Sequence, residues 1–487
     1  MQEIIYQDNR KTSIPRKGIA MKATYEQIVS HDNVIKAIEN MAKNKGSNTA
    51  GVDGKTVADY SDKEEFAKEI QKRMKRYHPK AVKRVYIPKP HSDKMRPLGI
   101  PCYIDRVIQM AIKQVLEPIC EEKFYDKSYG FRPNRSAENA IADIHKLVTL
   151  SKCYFVASVD IKGFFDNVNH EILYQQLKNI GITCKRTLAL IKAILRAPIS
   201  DNGKTIKSLK GTPQGGVISP LLSNVVLNDI DWLVDKQWRG RQYKSINKVT
   251  KRLSNNVRKN QDAKLTLMRR DGISSKWIVR YADDFVLLSD TQEGIENLVS
   301  LIIRKLNKLG LEVSEEKTRI VDLKTHSIDF LGFKISTKFN GKAKNTRGEV
   351  VGYHVMQTSP SDKADTKAYR NIKTAWMNYD KYRNGQSFAL LNSVIVGTQN
   401  YYRIATTISK HSARWEHRLW ATMKRASTVK LKKGASAYPK ELRQRYRGHN
   451  AGVFWTEYGY IFPIRTNYKK PMMYSQKAVD DRKKNKS

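Results

Sequence analysis

The sequence predicts an α+β fold, in which short apolar strands alternate with amphipathic helices. Two β-prone runs, Trp-Ile-Val and Phe-Val-Leu-Leu, flank residues 281–284, so a strand, a tight turn and a second strand are expected there. A third strand is expected at residues 155–161, where a carboxylate interrupts an apolar run. Apolar residues recur at helical spacing over residues 25–45, 105–122 and 294–309, which predicts helices.

The charge balance indicates a polyanionic partner. The 487 residues include 90 Lys and Arg against 47 Asp and Glu, for a formal net charge of +43. Nucleic acid is the first candidate for this partner, and an anionic membrane surface is the rival. No apolar run approaches the ~20 residues of a spanning helix, so the sequence does not predict a membrane protein.

The cysteines and the N-terminal sequence indicate the cellular compartment of the protein. Cys102, Cys120, Cys153 and Cys184 are far apart and form no Cys-x-x-Cys pair, so no zinc site is expected. Isolated thiols are typical of a reducing cytoplasm, and the N-terminus lacks the apolar core of a secretory signal. A cytoplasmic protein is therefore predicted.

Two basic segments are candidates for contacts with phosphates. Residues 88–101 form a Pro/Gly-rich turn in which Lys89 and Arg96 would bracket an anion, although an ordinary surface hairpin explains the same pattern. Residues 128–136 interleave aromatic rings with arginines, which suits stacking and phosphate contacts on a nucleic-acid strand.

Three carboxylates, Asp160, Asp283 and Asp284, are expected at strand ends or at a turn. Adjacent aspartates repel, and a carboxylate in an apolar strand is costly without a partner. If their strands are neighbours in one sheet, the carboxylates share a surface where two divalent cations ~3.5–4 Å apart would bridge them. Oxygen ligands suit Mg²⁺. A solvated Asp-Asp turn is the alternative interpretation of residues 281–284 alone.

Seven sequence blocks, in family order, resemble those of group II intron-encoded reverse transcriptases, or maturases. The blocks are residues 94–101, 130–133, 160–166, 211–216, 281–284, 314–318 and 330–333. A Tyr-x-Asp-Asp tetrapeptide alone is weak support, whereas seven ordered blocks are very specific. The resemblance implies a right-hand polymerase with fingers, a palm containing an antiparallel sheet, and an α-helical thumb or X domain.

The resemblance also divides the chain. The expected domains are an N-terminal extension at 1–60, fingers and palm at 61–340, the thumb or X domain at 341–447, and a small basic tail resembling a DNA-binding element at 448–487. Many relatives end in a Cys- and His-rich HNH endonuclease. No such element is found in this sequence, so second-strand DNA cleavage is not expected.

Individual roles follow from the resemblance. Asp160, Asp283 and Asp284 would be the catalytic ligands of two Mg²⁺ ions, for which Mn²⁺ is a substitute, helped by the backbone carbonyl of Ile161. The implied nucleotide contacts are Lys89, Arg96, Phe165, Gln214 and Lys317. The implied primer grip is Phe330, Leu331, Gly332 and Phe333. The implied RNA contacts are Arg132, Arg135, Tyr401, Tyr402 and Arg403.

Some of these roles have alternatives. Phe165 matches the bulky gate that excludes a ribose 2′-hydroxyl and favours dNTPs, with core packing as the other explanation. Lys317 would lie near the triphosphate or would be a solvated turn lysine. Tyr401 and Tyr402 would stack on bases, or one of them would fill the thumb core.

The implied function is RNA-directed DNA polymerisation by a protein that binds group II intron RNA, assists its splicing and copies it by target-primed reverse transcription. Its partners would be intron RNA, template RNA, a DNA primer or target, and dNTPs, as a monomer or a homodimer. One alternative is a reverse transcriptase of retron, diversity-generating or phage-defence type. The other is an RNA-binding maturase without polymerase activity. The intact catalytic and nucleotide-binding positions argue against it: Asp160, Asp283, Asp284, Gln214 and Phe165.

Overall fold

The computed structural model describes residues 24–88, 95–241, 261–344, 350–432 and 452–474. The chain divides into two compact units: the first contains Met1–Phe124 and Phe165–Val226, and the second contains Tyr125–Phe164 and Leu227–Ser487. Helices and mainly antiparallel sheets occur together, so the predicted α+β class is confirmed. The four predicted domain ranges remain a prediction.

Helices and strands alternate along most of the chain. The helices are Tyr25–Val29, His31–Ala42, Lys63–Lys75, Tyr103–Glu121, Ala137–Thr149, Phe164–Asn167, His170–Ile180, Lys185–Leu195, Ser219–Gln237, Gln261–Arg270, Gln292–Lys308, Asp362–Tyr382, Gly385–Tyr402 and Ile408–Arg425, with short 3-10 turns at Lys45–Asn48, Val57–Asp59 and Glu315–Lys317. The strands are β1 (Val82–Pro88), β2 (Met95–Ile100), β3 (Phe155–Val159), β4 (Ile199–Asp201), β5 (Lys204–Ile206), β6 (Lys276–Tyr281), β7 (Asp284–Ser289), β8 (Arg319–Asp322), β9 (Ile328–Phe330), β10 (Phe333–Lys344), β11 (Val350–Pro360), β12 (Lys430–Lys432), β13 (Val453–Thr456) and β14 (Gly459–Tyr460).

The first unit combines helices with a sheet in the order β2-β1-β4-β5. Helix Tyr103–Glu121 buries an apolar face and packs against helix His31–Ala42, where the Asn33 side chain donates to the Ala111 carbonyl at 3.0 Å. The prediction of a single helix over residues 25–45 is wrong in one detail, because the structure has two helices there. The helical run is broken at Ser30, whose backbone is extended (φ −57°, ψ 143°) and whose hydroxyl donates to the Gln27 carbonyl.

A buried carboxyl lies in the first turn of helix Tyr103–Glu121. Asp105 is 3% exposed and accepts hydrogen bonds from the Tyr77 hydroxyl at 2.9 Å and the Lys80 amide at 3.2 Å. Burial raises the pKa of Asp105 to about 6, although both hydrogen bonds favour the ionised form.

We expect Asp105 to make stability depend on pH. Its pKa is higher in the folded than in the unfolded chain, so the folded state binds more protons between about pH 4 and pH 6. The contribution of Asp105 to stability should therefore fall as pH rises through this window, by about 3 kcal/mol. Chemical denaturation of the wild type and of Asp105→Asn at pH 4 and pH 7 measures this loss. Equal pH dependence in the two proteins would contradict the assignment.

The second unit contains an antiparallel sheet in the order β6-β7-β3-β8. Four successive residues of β7, from Phe285 to Leu288, are fully buried, so both faces of the sheet are covered. This explains why the strands have continuous apolar sequences. Helix Gln292–Lys308 packs against β7 and β3.

A second sheet of this unit has the order β11-β10-β9 and lies beside the helices of the predicted thumb. Residues 452–474, within the predicted tail, pack on helix Gly385–Tyr402: the Asn392 amide donates to the Tyr460 carbonyl at 3.1 Å, and the Gln399 amide to the Pro463 carbonyl at 2.5 Å. The rest of the predicted tail lies outside the described residues. None of the helices in the described ranges has the length and apolar character needed to cross a bilayer.

Candidate active site

The register between β3 and β7 brings two of the carboxylates together. Val159 of β3 lies opposite Phe285 of β7. Asp160 follows Val159 and Asp284 precedes Phe285, so continuing the antiparallel register places Asp160 opposite Asp284. Asp283 lies in the two-residue turn that joins β6 to β7, beside Asp284. All three carboxylates therefore lie at one edge of the sheet in the second unit.

The electrostatics of Asp284 reflect this crowding. Asp284 keeps exposed surface, but desolvation of its carboxyl, followed by the negative charges of Asp283 and Asp160, raises its pKa to about 7. Because the pKa of this carboxyl is raised, a nearby cation would stabilise its ionised form. The repulsion among the three side chains therefore favours binding of a positively charged ligand at this edge.

The segment after β3 is held in place by an isolated backbone bridge. Ile161 forms an isolated antiparallel bridge with Val313. The hydrogen bonds of this bridge run from the Ser314 amide to the Asp160 carbonyl and from the Lys162 amide to the Glu312 carbonyl, both at 2.8 Å. The bridge therefore uses the groups flanking Ile161 and not the carbonyl of Ile161 itself.

The donor set agrees with a hard divalent cation. Within the described ranges, no three His, Cys, Asp or Glu side chains are arranged to hold an ion by themselves. Mg²⁺ does not need such a cage, because it is usually held by one or two carboxylates together with water and phosphate oxygens. The carboxylates around Asp284 fit that mode of binding, because a cation would relieve the repulsion that disfavours the ionised form of Asp284.

In the first unit, hydrogen bonds connect three segments predicted to contact the nucleotide. The Thr212 amide donates to the Phe165 carbonyl at 2.6 Å, and the Gly99 amide donates to the Gln214 carbonyl at 2.5 Å. Gly99 is in β2, which also carries the exposed Arg96. The structure thus brings together the segments of Arg96, Phe165 and Gln214.

The two predicted lysines are less fully described. Lys89 lies outside the described residues. Lys317 ends the 3-10 turn Glu315–Lys317, and the residue before this turn, Ser314, donates its amide to the Asp160 carbonyl. The residue directly before this turn is therefore hydrogen-bonded to Asp160, one of the three carboxylate residues.

The predicted primer grip is the turn between β9 and β10. Phe330 pairs with Phe333, and both rings are buried. Leu331 (φ 51°) and Gly332 (φ 76°) occupy the left-handed region between them, as in the tight turns that match the strand twist. The Ser361 amide donates to the Gly332 carbonyl at 2.9 Å, which fixes the turn to the start of helix Asp362–Tyr382.

Tyr401 and Tyr402 contact this turn. The Tyr401 hydroxyl donates to the Leu331 carbonyl at 2.9 Å, and its ring stacks on Phe333 at 5.6 Å. The Tyr402 ring is half-buried against Phe333 at 5.5 Å, whereas Tyr401 remains 43% exposed. Burial raises the pKa of Tyr401 to about 12, and the charge of Asp284 contributes to the rise.

The predicted RNA-binding arginines differ in their surroundings. Arg132 is 6% exposed and donates to the carbonyls of Tyr125 at 2.6 Å and Ser128 at 2.9 Å, which favours a role in holding its own loop. The Arg135 guanidinium lies 4.2 Å from the centre of the Tyr474 ring. Arg403 is half-buried, and its carbonyl accepts from the Lys469 amide at 2.7 Å.

Sequence reasoning overlooked Arg280 and Asp231. Arg280 is fully buried in β6 and pairs with Asp231, which is fully buried in helix Ser219–Gln237, at 2.6 Å. The sequence feature that pointed to them was a charged residue within each of two apolar segments. That signal becomes specific only when the partner is known.

Comparison with known proteins identifies the family of this chain. Residues 87–335, which include all three carboxylates, match the family described as reverse transcriptase (RNA-dependent DNA polymerase). The chain belongs to the reverse transcriptase family. Its mixed α+β structure is consistent with the right-hand polymerase fold.

This reverse transcriptase is similar to several curated proteins, two of which are named for an intron. It is 35% identical to the group II intron-encoded protein LtrA of Lactococcus lactis subsp. cremoris over 357 residues, covering 66% of this chain and 58% of LtrA. It is 34% identical to protein YkfC of Escherichia coli K12 over 350 residues, covering 68% of this chain and 85% of YkfC. It is 32% identical to the putative COX1/OXI3 intron 1 protein of Saccharomyces cerevisiae, covering 53% of this chain and 32% of that protein.

The chain thus spans 58% of the length of LtrA. The predicted resemblance to group II intron-encoded reverse transcriptases is confirmed by these similarities.

Proposed function

We propose that this reverse transcriptase is an RNA-directed DNA polymerase that binds group II intron RNA, assists its splicing and copies it by target-primed reverse transcription. One observation carries the polymerase proposal: the β3–β7 register that aligns Asp160 with Asp284 beside Asp283. The similarity to LtrA supports the intron RNA as substrate. The net charge of +43 supports a nucleic-acid partner.

In the proposed reaction, the primer 3′-hydroxyl attacks the α-phosphate of a dNTP and pyrophosphate leaves. Asp160, Asp283 and Asp284, with the Ile161 carbonyl, would hold two Mg²⁺ ions, or Mn²⁺ in their place. Bound there, the cations would promote deprotonation of the attacking hydroxyl and neutralise charge on the leaving group.

Other residues would bind and orient the substrates. Arg96, with Lys89, would contact the triphosphate, and Gln214 would contact the nucleotide. Lys317 would lie near the triphosphate or support the palm. The turn from Phe330 to Phe333, held by Tyr401, would orient the primer end. Orientation of the reacting atoms is a major part of phosphoryl-transfer catalysis, because the protein contributes little covalent chemistry.

The proposal extends to the RNA contacts and to the location of the protein. The residues proposed to contact RNA are Arg135, Tyr401, Tyr402 and Arg403, and the buried Arg132 is proposed to support them from within its loop. A cytoplasmic location is proposed, supported by free cysteines of which Cys102, Cys120 and Cys153 are buried.

Two assays test this function. Purified protein with an RNA template, a DNA primer, dNTPs and Mg²⁺ should extend the primer, and no extension would remove the polymerase proposal. Adding the protein to its flanking RNA across a range of salt concentrations should give protein-dependent splicing at physiological salt. Salt must be varied because so much positive charge holds any RNA at low ionic strength. Extension without splicing would favour a reverse transcriptase of another class, and splicing without extension a maturase lacking polymerase activity.

Phe165 offers a test of sugar selection. We expect Phe165→Ala to raise the ratio of rNTP to dNTP incorporation, because the smaller side chain leaves space for a 2′-hydroxyl. Primer extension with each nucleotide set measures kcat/KM for both substrates. Tyr174→Ala, a change to another aromatic residue of the first unit, should leave the ratio unchanged. An unchanged ratio in Phe165→Ala would show that the ring only packs.

A further inference from the structure

We propose that the buried ion pair between Arg280 and Asp231 positions the catalytic turn, which makes Arg280 a positioning residue for polymerisation. The inference rests on the proposed polymerase function and assigns a role to two residues outside the predicted site. Both residues, the turn and the carboxylates belong to the second unit.

The Arg280 guanidinium makes contacts in two directions. Its Nε donates to the two Asp231 carboxylate oxygens at 3.0 and 3.1 Å, and its Nη2 donates to Oδ2 at 2.6 Å. Its Nη1 donates to the Ala282 carbonyl at 2.8 Å. The planar, multi-donor geometry of arginine permits this, and a lysine ammonium cannot reproduce it. Arg280 therefore connects helix Ser219–Gln237 to the peptide that immediately precedes Asp283.

The residue that Arg280 contacts has an unusual backbone. Ala282 has φ 60°, in the left-handed region that side chains other than glycine rarely adopt. Such a conformation persists only where the surroundings impose it, and it is concentrated at functional sites. The bond from Arg280 to the Ala282 carbonyl is one such constraint, and it acts one peptide away from a catalytic carboxylate.

A second constraint comes from the segment before Arg132. The Arg280 amide donates to the Lys127 carbonyl at 2.9 Å, and the Tyr129 amide donates to the Arg280 carbonyl at 2.8 Å. A Cβ atom at Gly130 would collide with the backbone amide nitrogen of Ala282. The block predicted to contact nucleic acid therefore packs directly on the catalytic turn, and the turn is constrained on two sides.

The ordinary explanation is that the pair only stabilises the fold. Buried ion pairs are poor stabilisers, because desolvation offsets their attraction and apolar residues of similar size often serve as well or better. Replacing the ion pair by apolar residues therefore distinguishes a role in stability from a role in positioning the turn. A purely structural pair is replaceable by apolar residues without loss of activity, whereas a positioning pair is not.

The test is the double variant Arg280→Met/Asp231→Leu, which removes both charges together and leaves no unpaired buried ion. We expect a thermal unfolding temperature equal to or above that of the wild type, and unchanged binding of template–primer. Mn²⁺ alone, titrated by electron paramagnetic resonance, should bind about tenfold more weakly. The kcat for primer extension should fall about 100-fold, while KM for dNTP changes little.

A matched control exists at the C-terminal end of the same helix, with one partner in the helix and the other two residues beyond it. Asp235 and Arg239 form another largely buried pair at 2.7 Å, with side chains 9% and 11% exposed. The Arg239 guanidinium also lies near Asp126 and the Tyr125 ring, neither of which belongs to the catalytic turn. The double variant Arg239→Met/Asp235→Leu should therefore keep the wild-type Mn²⁺ affinity and kcat. Equal losses in the two double variants would overturn the positioning role.

Three further outcomes are decisive. Wild-type kcat and Mn²⁺ affinity in the Arg280/Asp231 double variant would overturn the proposal. If that variant fails to fold, Arg280→Lys keeps a charge opposite Asp231, and wild-type kcat in this single variant would overturn it instead. If the wild-type protein does not extend primers, the proposed polymerase function is rejected, but the positioning role is not rejected with it. The Mn²⁺ titrations still test whether the pair positions the carboxylates.

Discussion

Replacing Asp283 or Asp284 by Ala should abolish detectable primer extension, with kcat at least about 10³-fold lower. The reason is that each variant removes one of three carboxylates gathered at the edge of the β3–β7 pair. Single-turnover extension of a DNA primer on an RNA template measures the loss. Mn²⁺ binding measured on the same proteins should weaken in parallel.

The loss should not come from unfolding. Desolvation of the carboxyl, followed by the charges of Asp283 and Asp160, raises the pKa of Asp284 to about 7, although the residue keeps exposed surface, so its ionised form adds nothing to the stability of the metal-free fold. The metal-free Asp284→Ala variant should therefore be as thermally stable as the wild type, or more stable. Asp32→Ala, at a fully exposed carboxylate, serves as the control and should retain activity. Persisting extension in the Asp283 and Asp284 variants would remove the polymerase proposal.

Gly211→Ala should lower primer extension about 100-fold with little change in Mn²⁺ binding. Gly211 has φ 88°, and an added Cβ would lie 2.8 Å from the Asp166 carbonyl oxygen and 2.9 Å from that of Phe165. These are backbone atoms, so relief requires the glycine loop to move away from Phe165. The loop is expected to hold Gln214 against the nucleotide, and KM for dNTP should therefore rise as kcat falls.

The matched control for Gly211 is Gly203, in the same unit. Gly203 has a similar φ of 81°, but no atom lies within 4 Å of its added Cβ. Gly203→Ala therefore incurs backbone strain of about 1 kcal/mol without a collision, and activity should be retained. Similar activity in both variants would show that strain alone, and not contact with Phe165, determines the effect.

Local pattern was sufficient for the predictions that concern single segments. The helix predicted at 105–122 is observed as Tyr103–Glu121, and the one predicted at 294–309 as Gln292–Lys308. Apolar periodicity reports such segments because each buries one face along its own length. The break at Ser30 was not predicted, because a polar residue between apolar positions is also compatible with a continuous helix.

Burial of charged residues was the main point that local pattern did not resolve. Arg132 lies in a basic, aromatic-rich block that suggests nucleic-acid contact, yet it is buried and donates to backbone carbonyls. Arg280 looks like an isolated exception in an apolar strand until Asp231 is placed against it. An arginine on a surface and an arginine in a buried network have the same local sequence signature.

The amino-acid sequence alone determined the α+β class, the ordered reverse transcriptase blocks and the acidic residues at strand ends, because these are properties of contiguous residues. The tertiary structure decided which of those residues meet. Pairing of β3 with β7 brings Asp160 opposite Asp284, and a buried ion pair joins Asp231 of helix Ser219–Gln237 to Arg280 of β6. Such contacts depend on the register and packing of segments distant in the chain, which periodicity within any one segment does not encode.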